Sequence, residues 1–125
     1  MRAVSLLLTL MLPVVASAEI VDIKWTDGAF SHKASIAPKK FLEVCGKQKK
    51  GDSVIWKFKA GAPTDFNIHY HVGKDVSYPE KRAEIAGAEG TLSAPLDQDY
   101  CWMWSNRSAQ AVDIDVSLAQ TKTSK

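Results

Sequence analysis

Two histidines, His69 and His71, are separated by one residue in the only stretch of the chain whose side chains suggest chemistry. If this stretch is a strand, both imidazoles lie on one face, about 6.6 Å apart along it. Two neutral imidazoles at that spacing can hold one Cu(II) or Zn(II) ion when a third ligand comes from a neighbouring segment. The pair therefore predicts a copper or zinc site. Two solvated surface histidines are the alternative interpretation, and a proton-linked switch or an organic ligand is a third.

The third metal ligand can come from several places. Asn67 and Asp65 share the predicted face with the histidines, whereas His32, Asp113 and Asp115 belong to other segments. The choice depends on which strand lies beside the histidine strand, and the sequence does not specify it. The ligand set beyond His69 and His71 therefore stays open.

The stretch that carries the histidines, residues 65–72, alternates strictly between apolar and polar side chains. The apolar positions are Phe66, Ile68, Tyr70 and Val72. A period of two over eight residues is typical of a strand with one face in a core and the other in solvent. Gly73-Lys74-Asp75 follows at once and predicts a turn.

The rest of the chain repeats this pattern in short segments bounded by turn residues. The predicted strands are 21–25, 41–45, 54–59, 65–72, 76–78, 91–94, 100–104 and 112–118. Residues 31–38 are expected to be extended, and 61–64 to break the chain. Residues 81–88 have some helical propensity but are short, and we expect a loop or a weak strand there. Seven to eight strands at this spacing predict an all-β, antiparallel β-sandwich.

The segment from Tyr100 to Trp104 is the most aromatic part of the chain. Trp102 and Trp104 fall on one side of the predicted strand together with Tyr100, and Cys101 and Met103 fall on the other. The favoured interpretation is that the three aromatic rings belong to the core. A stacking platform for a sugar or another flat ligand is the alternative.

The N-terminus has the pattern of a secretory signal peptide. Met1-Arg2 precedes an apolar run from Ala3 to Val15, and Ala16-Ser17-Ala18 forms a small-x-small cleavage site. The run is shorter than the roughly 20 apolar residues that span a bilayer. We expect residues 1–18 to be cleaved, residues 19–119 to form a single β-sandwich domain and residues 120–125 to form a flexible tail. The mature protein is then exported to the periplasm or the cell exterior, with no membrane segment after cleavage.

The charge balance and the absence of motifs exclude several function classes. Sixteen basic and 14 acidic side chains give a net charge of +2, which argues against a nucleic-acid partner. The sequence contains no nucleophile elbow, no His-Glu-x-x-His and no glycine-rich phosphate loop, and we therefore expect no catalytic activity. The prediction is a binding module whose partner is a protein or a small ligand.

The chain contains two cysteines, Cys45 and Cys101. In an exported protein, an even and small number of cysteines indicates a disulfide. Two free thiols that serve as metal ligands are the alternative.

The order of motifs from Cys45 onward resembles a GOLD domain, the β-sandwich of the lumenal part of emp24-type cargo proteins. The resemblance covers about three quarters of the mature chain. The residues that carry it are Cys45, Gly51-Asp52, Val54 to Phe58, Asp65-Phe66-Asn67-Ile68, Gly90-Thr91-Leu92, Tyr100-Cys101-Trp102 with Ser105-Asn106, and Val112 to Leu118.

This resemblance implies a jelly-roll or GOLD-like sandwich with a disulfide between Cys45 and Cys101. It also implies a binding or adaptor role rather than catalysis. Since no transmembrane helix and no coat-binding tail follow the predicted domain, the trafficking function of the family is not carried over.

Overall fold

The structure is a computed structural model that describes residues 18–121. The predicted signal peptide, apart from Ala18, and the last four residues of the predicted tail lie outside the described residues. The strands are β1 (Glu19–Asp22), β2 (Ala29–Ile36), β3 (Phe41–Gln48), β4 (Ser53–Val72), β5 (Asp75–Ser93), β6 (Gln98–Ser105) and β7 (Val112–Thr121). The prediction of an all-β fold is confirmed. Among residues 18–121, no helix is long and apolar enough to cross a membrane.

One strand, β4, belongs to both layers of the sandwich. Residues 53–60 of β4 pair antiparallel with β7, and β7 pairs with β2. Residues 65–69 of β4 pair antiparallel with β6, which continues to β3 and then, in parallel, to β1. β5 runs along the other edge of β4 in both layers. The β4–β5 hairpin is therefore the common spine from which the two layers diverge.

The layers diverge where the β4–β5 register shifts, between Lys59 and Thr64. The sequence predicted a break at this point and two separate strands, but the 20 residues of β4 remain one strand. In the same way, the segments predicted as 76–78, 81–88 and 91–94 form the single 19-residue strand β5. Each of these long strands supplies hydrogen-bond partners to the other, and this pairing outweighs the local preferences of glycine and proline.

The inner faces of the two layers meet in one apolar core. At its centre, Phe66 contacts Trp56 and Phe58 with ring centroids 4.9 and 4.8 Å away, and it stacks on Trp104 at 5.5 Å. Trp102 is also fully buried. The prediction that the aromatic segment of β6 belongs to the core is confirmed. A stacking platform at Trp102 and Trp104 is excluded because no flat ligand can reach buried rings.

A disulfide joins Cys45 and Cys101, which lie directly opposite each other on β3 and β6. The predicted bond is confirmed, and the interpretation as two free thiols is wrong for this form of the protein. The two cysteines are 56 residues apart in the chain, and closing a loop of that length stabilises the fold by about 4 kcal/mol in the chain-entropy model. The bond lies on the outer face of its layer, because Val44 and Trp102 beside it point into the core.

Gly90 on β5 lies directly opposite Trp56 on β4, and the indole packs over its backbone. A Cβ at position 90 would lie 2.6 Å from Cζ2 of Trp56, closer than two carbon atoms can approach. We expect Gly90→Ala to lower the free energy of unfolding by about 1–3 kcal/mol, because it overpacks the core. Urea unfolding followed by tryptophan fluorescence measures the change.

The matched control for Gly90→Ala is Gly61→Ala on β4. A Cβ at Gly61 would find its nearest atom at 3.8 Å, an ordinary contact, so alanine is accommodated there. Equal destabilisation by the two substitutions would contradict the close packing of Trp56 against Gly90.

Candidate functional site

We call β2, β7 and residues 53–60 of β4 the first layer, and β1, β3, β6 and residues 65–69 of β4 the second layer. His69 lies on the outer face of the second layer, next to the disulfide. The strand register places it beside Cys101 of β6, and Cys101 lies beside Cys45 of β3. His69 and the two cysteines therefore form one row across three neighbouring strands. Although this face is turned away from the core, His69 is only 6% exposed.

Both ring nitrogens of His69 contact an oxygen atom. Its Nδ1 is 2.7 Å from Oδ1 of Asn67, two residues earlier on β4. Its Nε2 is 2.8 Å from Oε1 of Glu43, on β3. The side chain of Glu43 is itself 15% exposed. The site is thus a half-enclosed histidine–carboxylate pair that Asn67 orients.

Burial has the largest influence on the charge of His69. It lowers the pKa of the imidazole from its ordinary value of 6.5, and the nearby His71 lowers it further. The carboxylate and hydrogen bond of Glu43 oppose this but do not outweigh burial. A neutral imidazole has a single N–H, which can satisfy either Asn67 or Glu43 but not both.

His71 lies on the same face as His69, as the sequence predicted. Its ring is edge-on to that of His69 with the centroids 5.3 Å apart, but its side chain is exposed. The two histidines therefore differ, since one is held in a buried network and the other faces solvent.

Most of the third ligands proposed from the sequence lie elsewhere. His32 on β2 pairs with Glu19, and Asp113 and Asp115 belong to β7, which pairs with the other half of β4. Asp65 accepts hydrogen bonds from Arg107 and from the backbone of Glu84. Asn67 does contact the site, through its amide.

Sequence reasoning missed Glu43. Within residues 18–121, the set of ligand atoms that lie within 4.8 Å of one another comprises Glu43, His69 and Cys101. The sulfur of Cys101 is held in the disulfide, so the oxidised protein offers only Glu43 and His69 from this set. Glu43 alternates with the apolar residues Leu42 and Val44 on β3, so the sequence pattern indicates that its side chain points outward. The pattern does not indicate that β3 lies close to His69.

A second candidate surface is the end of the β4–β5 hairpin, residues 70–78, which we call the hairpin tip. β6 pairs with β4 only as far as His69, so residues 70–72 pair with β5 alone. The tip carries three exposed apolar side chains: Val72 is 49%, Val76 39% and Tyr78 48% exposed. Lys74 lies in the turn. The tip is thus a two-stranded element that extends beyond β6, with exposed apolar side chains and with Lys74 and Asp75 at its end.

Two grooves lie at the two ends of the sandwich, with volumes of about 850 and 830 Å³. The first is lined by Trp25, Lys47, Gln48, Lys49, Lys50, Asp52, Asp97, Gln98, Asp99 and Gln120. The second is lined by Lys39, Lys40, Phe41, Ala62, Pro63, Thr64, Asp65, Glu84, Ser105, Asn106, Arg107 and Ser108. Both are open to solvent and lined by many charged side chains, whereas small-molecule sites are enclosed and have few polar groups.

No family model matches the chain, and no curated protein is similar to it in sequence. Solved structures do match the fold. Aeromonas hydrophila PliG, described as a periplasmic lysozyme inhibitor of g-type lysozyme, has a TM-score of 0.64 at 14% identity, over 84% of this chain and 98% of that chain. The fold is that of PliG.

Two further structures with the same description agree. A mutant of the PliG of Escherichia coli has a TM-score of 0.60 at 15% identity, and the PliG of Salmonella Typhimurium has 0.61 at 12%. Each match covers 84% of this chain and the whole of the other chain. At sequence identities this low, the structural similarity establishes a shared fold and nothing more.

These matches correct the resemblance to a GOLD domain, because the three solved structures described above, which share the fold, are PliG proteins. The motifs that carried the resemblance are a cysteine pair, a Gly-Asp turn and alternating strands. Cysteine pairs, glycine-containing turns and alternating strands occur in many disulfide-bonded antiparallel sandwiches, so these motifs do not distinguish one such fold from another.

The lowered pKa of His69 predicts that stability decreases in acid. As the pH falls below about 6.5, the imidazole of His69 takes up a proton in the unfolded chain. In the folded protein its pKa is lower, so it takes up that proton only at a lower pH. The free energy of unfolding therefore decreases as the pH falls below 6.5, and the His69 contribution is constant above it. Urea unfolding at a series of pH values measures this slope. We expect it to be reduced in His69→Gln, whose side chain does not titrate.

A free energy of unfolding that rose in acid for the native protein relative to His69→Gln would contradict this prediction. It would show that the attraction of Glu43 for an imidazolium outweighs the cost of burying the charge.

Proposed function

We propose that this protein is an exported, periplasmic, non-catalytic binding module that inhibits a g-type lysozyme. The observation that carries the proposal is the shared fold. Three solved structures described as inhibitors of g-type lysozyme match this chain over at least 98% of their own lengths. The match therefore includes their complete folds and not a common sub-structure.

The N-terminal sequence supports the same location. The signal peptide predicted at residues 1–18 directs a chain out of the cytoplasm, and the disulfide between Cys45 and Cys101 requires an oxidising compartment. The three structural matches are described as periplasmic proteins.

We place the inhibitory surface at the hairpin tip because of its shape. Glycoside hydrolases bind their substrate in a concave cleft, where carboxyl groups flank the scissile bond. A projecting hairpin fits such a cleft, whereas the open grooves at the ends of the sandwich do not. The rigid β4–β5 pairing behind the tip reduces the entropy lost on binding.

The chemistry of the hairpin tip supports the same assignment. Lys74 brings a positive charge to the end of the hairpin, where it can approach the carboxylates of a glycosidase. Val76 and Tyr78 are exposed on the face of the hairpin that carries His71, and Val72 is exposed on the opposite face. The side chain of Lys81 lies over the ring of Tyr78, 4.7 Å from its centroid, and limits the freedom of that ring. An aromatic anchor beside apolar and cationic groups is typical of a protein-binding hot spot.

The mature protein is expected to inhibit a g-type lysozyme in a cell-wall lysis assay. Lys74→Glu and Val72→Asp should each raise the inhibition constant at least tenfold, because each introduces a negative charge facing an acidic cleft. The measurements are the inhibition constant and, by calorimetry, the dissociation constant of the complex.

The control is Ile55→Asp, which introduces the same charge at a residue on the same strand that is 53% exposed but lies in the first layer, away from the tip. We expect inhibition by this variant to be unchanged. No inhibition by the native protein would refute the proposed function. Inhibition that the tip variants retained would refute only the assignment of the surface.

A further inference from the structure

We propose that the dithiol form of this protein binds one Zn²⁺ ion through Oε1 of Glu43, Nε2 of His69 and Sγ of Cys101. This site lies on the outer face of the second layer and does not include the hairpin turn. The proposal is independent of lysozyme inhibition.

The three ligand atoms already converge. They lie within 4.8 Å of one another, and they come from three neighbouring strands whose backbone pairing fixes their positions. Zinc bonds to sulfur, nitrogen and oxygen of about 2.0–2.3 Å place tetrahedral ligands roughly 3.5 Å apart. Small side-chain rotations are enough to close the remaining gap.

Asn67 orients the imidazole as a metal site requires. When its Oδ1, 2.7 Å from Nδ1 of His69, accepts the Nδ1–H, the lone pair of Nε2 points at the carboxylate of Glu43, 2.8 Å away. Two facing lone pairs repel each other unless a cation lies between them. A metal ion satisfies both atoms, and the amide oxygen of Asn67 acts as the outer acceptor that fixes the orientation of a metal-bound histidine.

The donor set is one that zinc favours. A thiolate, an imidazole and a carboxylate combine the three ligand types found in protein zinc sites. His71 is the nearest further ligand, since its ring centroid is 5.3 Å from that of His69 and its side chain is free to move at the surface. Histidine, cysteine and carboxylate together do not favour magnesium or calcium, which take oxygen ligands.

The redox state of the cysteines controls the site. A dithiol reductant passes two electrons and two protons to the Cys45–Cys101 bond, yields two thiols and is itself oxidised to a disulfide. A newly exported chain carries these thiols before any oxidation. Zinc binding then replaces the Cys101 thiol proton, which is released to solvent. In the reverse step a partner disulfide accepts two electrons from the Cys45 thiol and the Cys101 thiolate and, with the Cys45 proton and one proton from solvent, becomes two thiols. The Cys45–Cys101 bond forms and the ion is released, so the bridge and the metal exclude each other.

The decisive comparison is between Cys45→Ser and Cys101→Ser. Both substitutions abolish the disulfide and the same loop closure, but only Cys45→Ser keeps the proposed sulfur ligand. Zinc affinity is measured by competition with a chromophoric chelator, and Co²⁺ is used as a probe because a cobalt–thiolate bond absorbs in the near ultraviolet. We expect Cys45→Ser to bind one equivalent with a cobalt–thiolate band. Cys101→Ser and the disulfide-bonded native protein should bind at least tenfold more weakly and show no band.

Further variants in the Cys45→Ser background test the other two ligands. Glu43→Gln and His69→Gln should each weaken zinc binding at least tenfold. Asp65→Asn is the control, because Asp65 lies on the same face of β4 but is paired with Arg107. We expect this control to bind zinc as Cys45→Ser does.

Loss of the disulfide can also unfold the chain, and the test includes that case. If Cys45→Ser is unfolded without metal, zinc should restore its native tryptophan fluorescence, and it should not do so for Cys101→Ser. Equal zinc binding by the two cysteine variants, or none by Cys45→Ser in either assay, would overturn the proposal.

Discussion

The fold depends on a single strand that is shared by both layers. Because β4 changes pairing partner between Lys59 and Thr64, two aromatic residues of one strand, Phe58 and Phe66, meet with their ring centroids 4.8 Å apart. No loop connects the two layers at this point, so the angle between them is set by how far β4 bends. The close contact of Trp56 with Gly90 has the same origin. β5 stays hydrogen-bonded to β4 along the bend, so its backbone lies directly beside the indole of Trp56.

The same hairpin positions both functional candidates. Where β6 stops pairing with β4, after His69, the remaining residues of the hairpin continue as the tip. His69 lies at the last position of β4 that pairs with β6, beside the disulfide that joins β3 to β6. The part of the hairpin that pairs with β6 thus holds the histidine–carboxylate site. The part beyond it, where β4 pairs with β5 alone, presents Val72, Val76 and Tyr78.

The likeness to PliG at 12–15% identity has a physical explanation. A sandwich core requires apolar side chains of suitable total volume at alternating positions, and many combinations meet that requirement. Surface residues are less constrained still. Shared topology therefore persists after the sequences have diverged, and function must be argued from the surface that each protein presents.

The sequence alone determined those features that depend on local pattern. Strict alternation around Ile68 and Val116 predicted which side chains enter the core, because a strand directs successive side chains to opposite faces. The leader and the even cysteine count predicted the disulfide. The aromatic segment of β6 was correctly assigned to the core over a ligand platform.

Tertiary structure decided everything that depends on which strands are neighbours. Glu43 and His69 are 26 positions apart in the chain, and only the order β3–β6–β4 brings their side chains to 2.8 Å. The continuity of β4 and β5 through glycine and proline also followed from pairing, because each strand satisfies the backbone of the other. Alternation specifies the face of a side chain but not its partner across the sheet, and the chemistry of this protein depends on those partners.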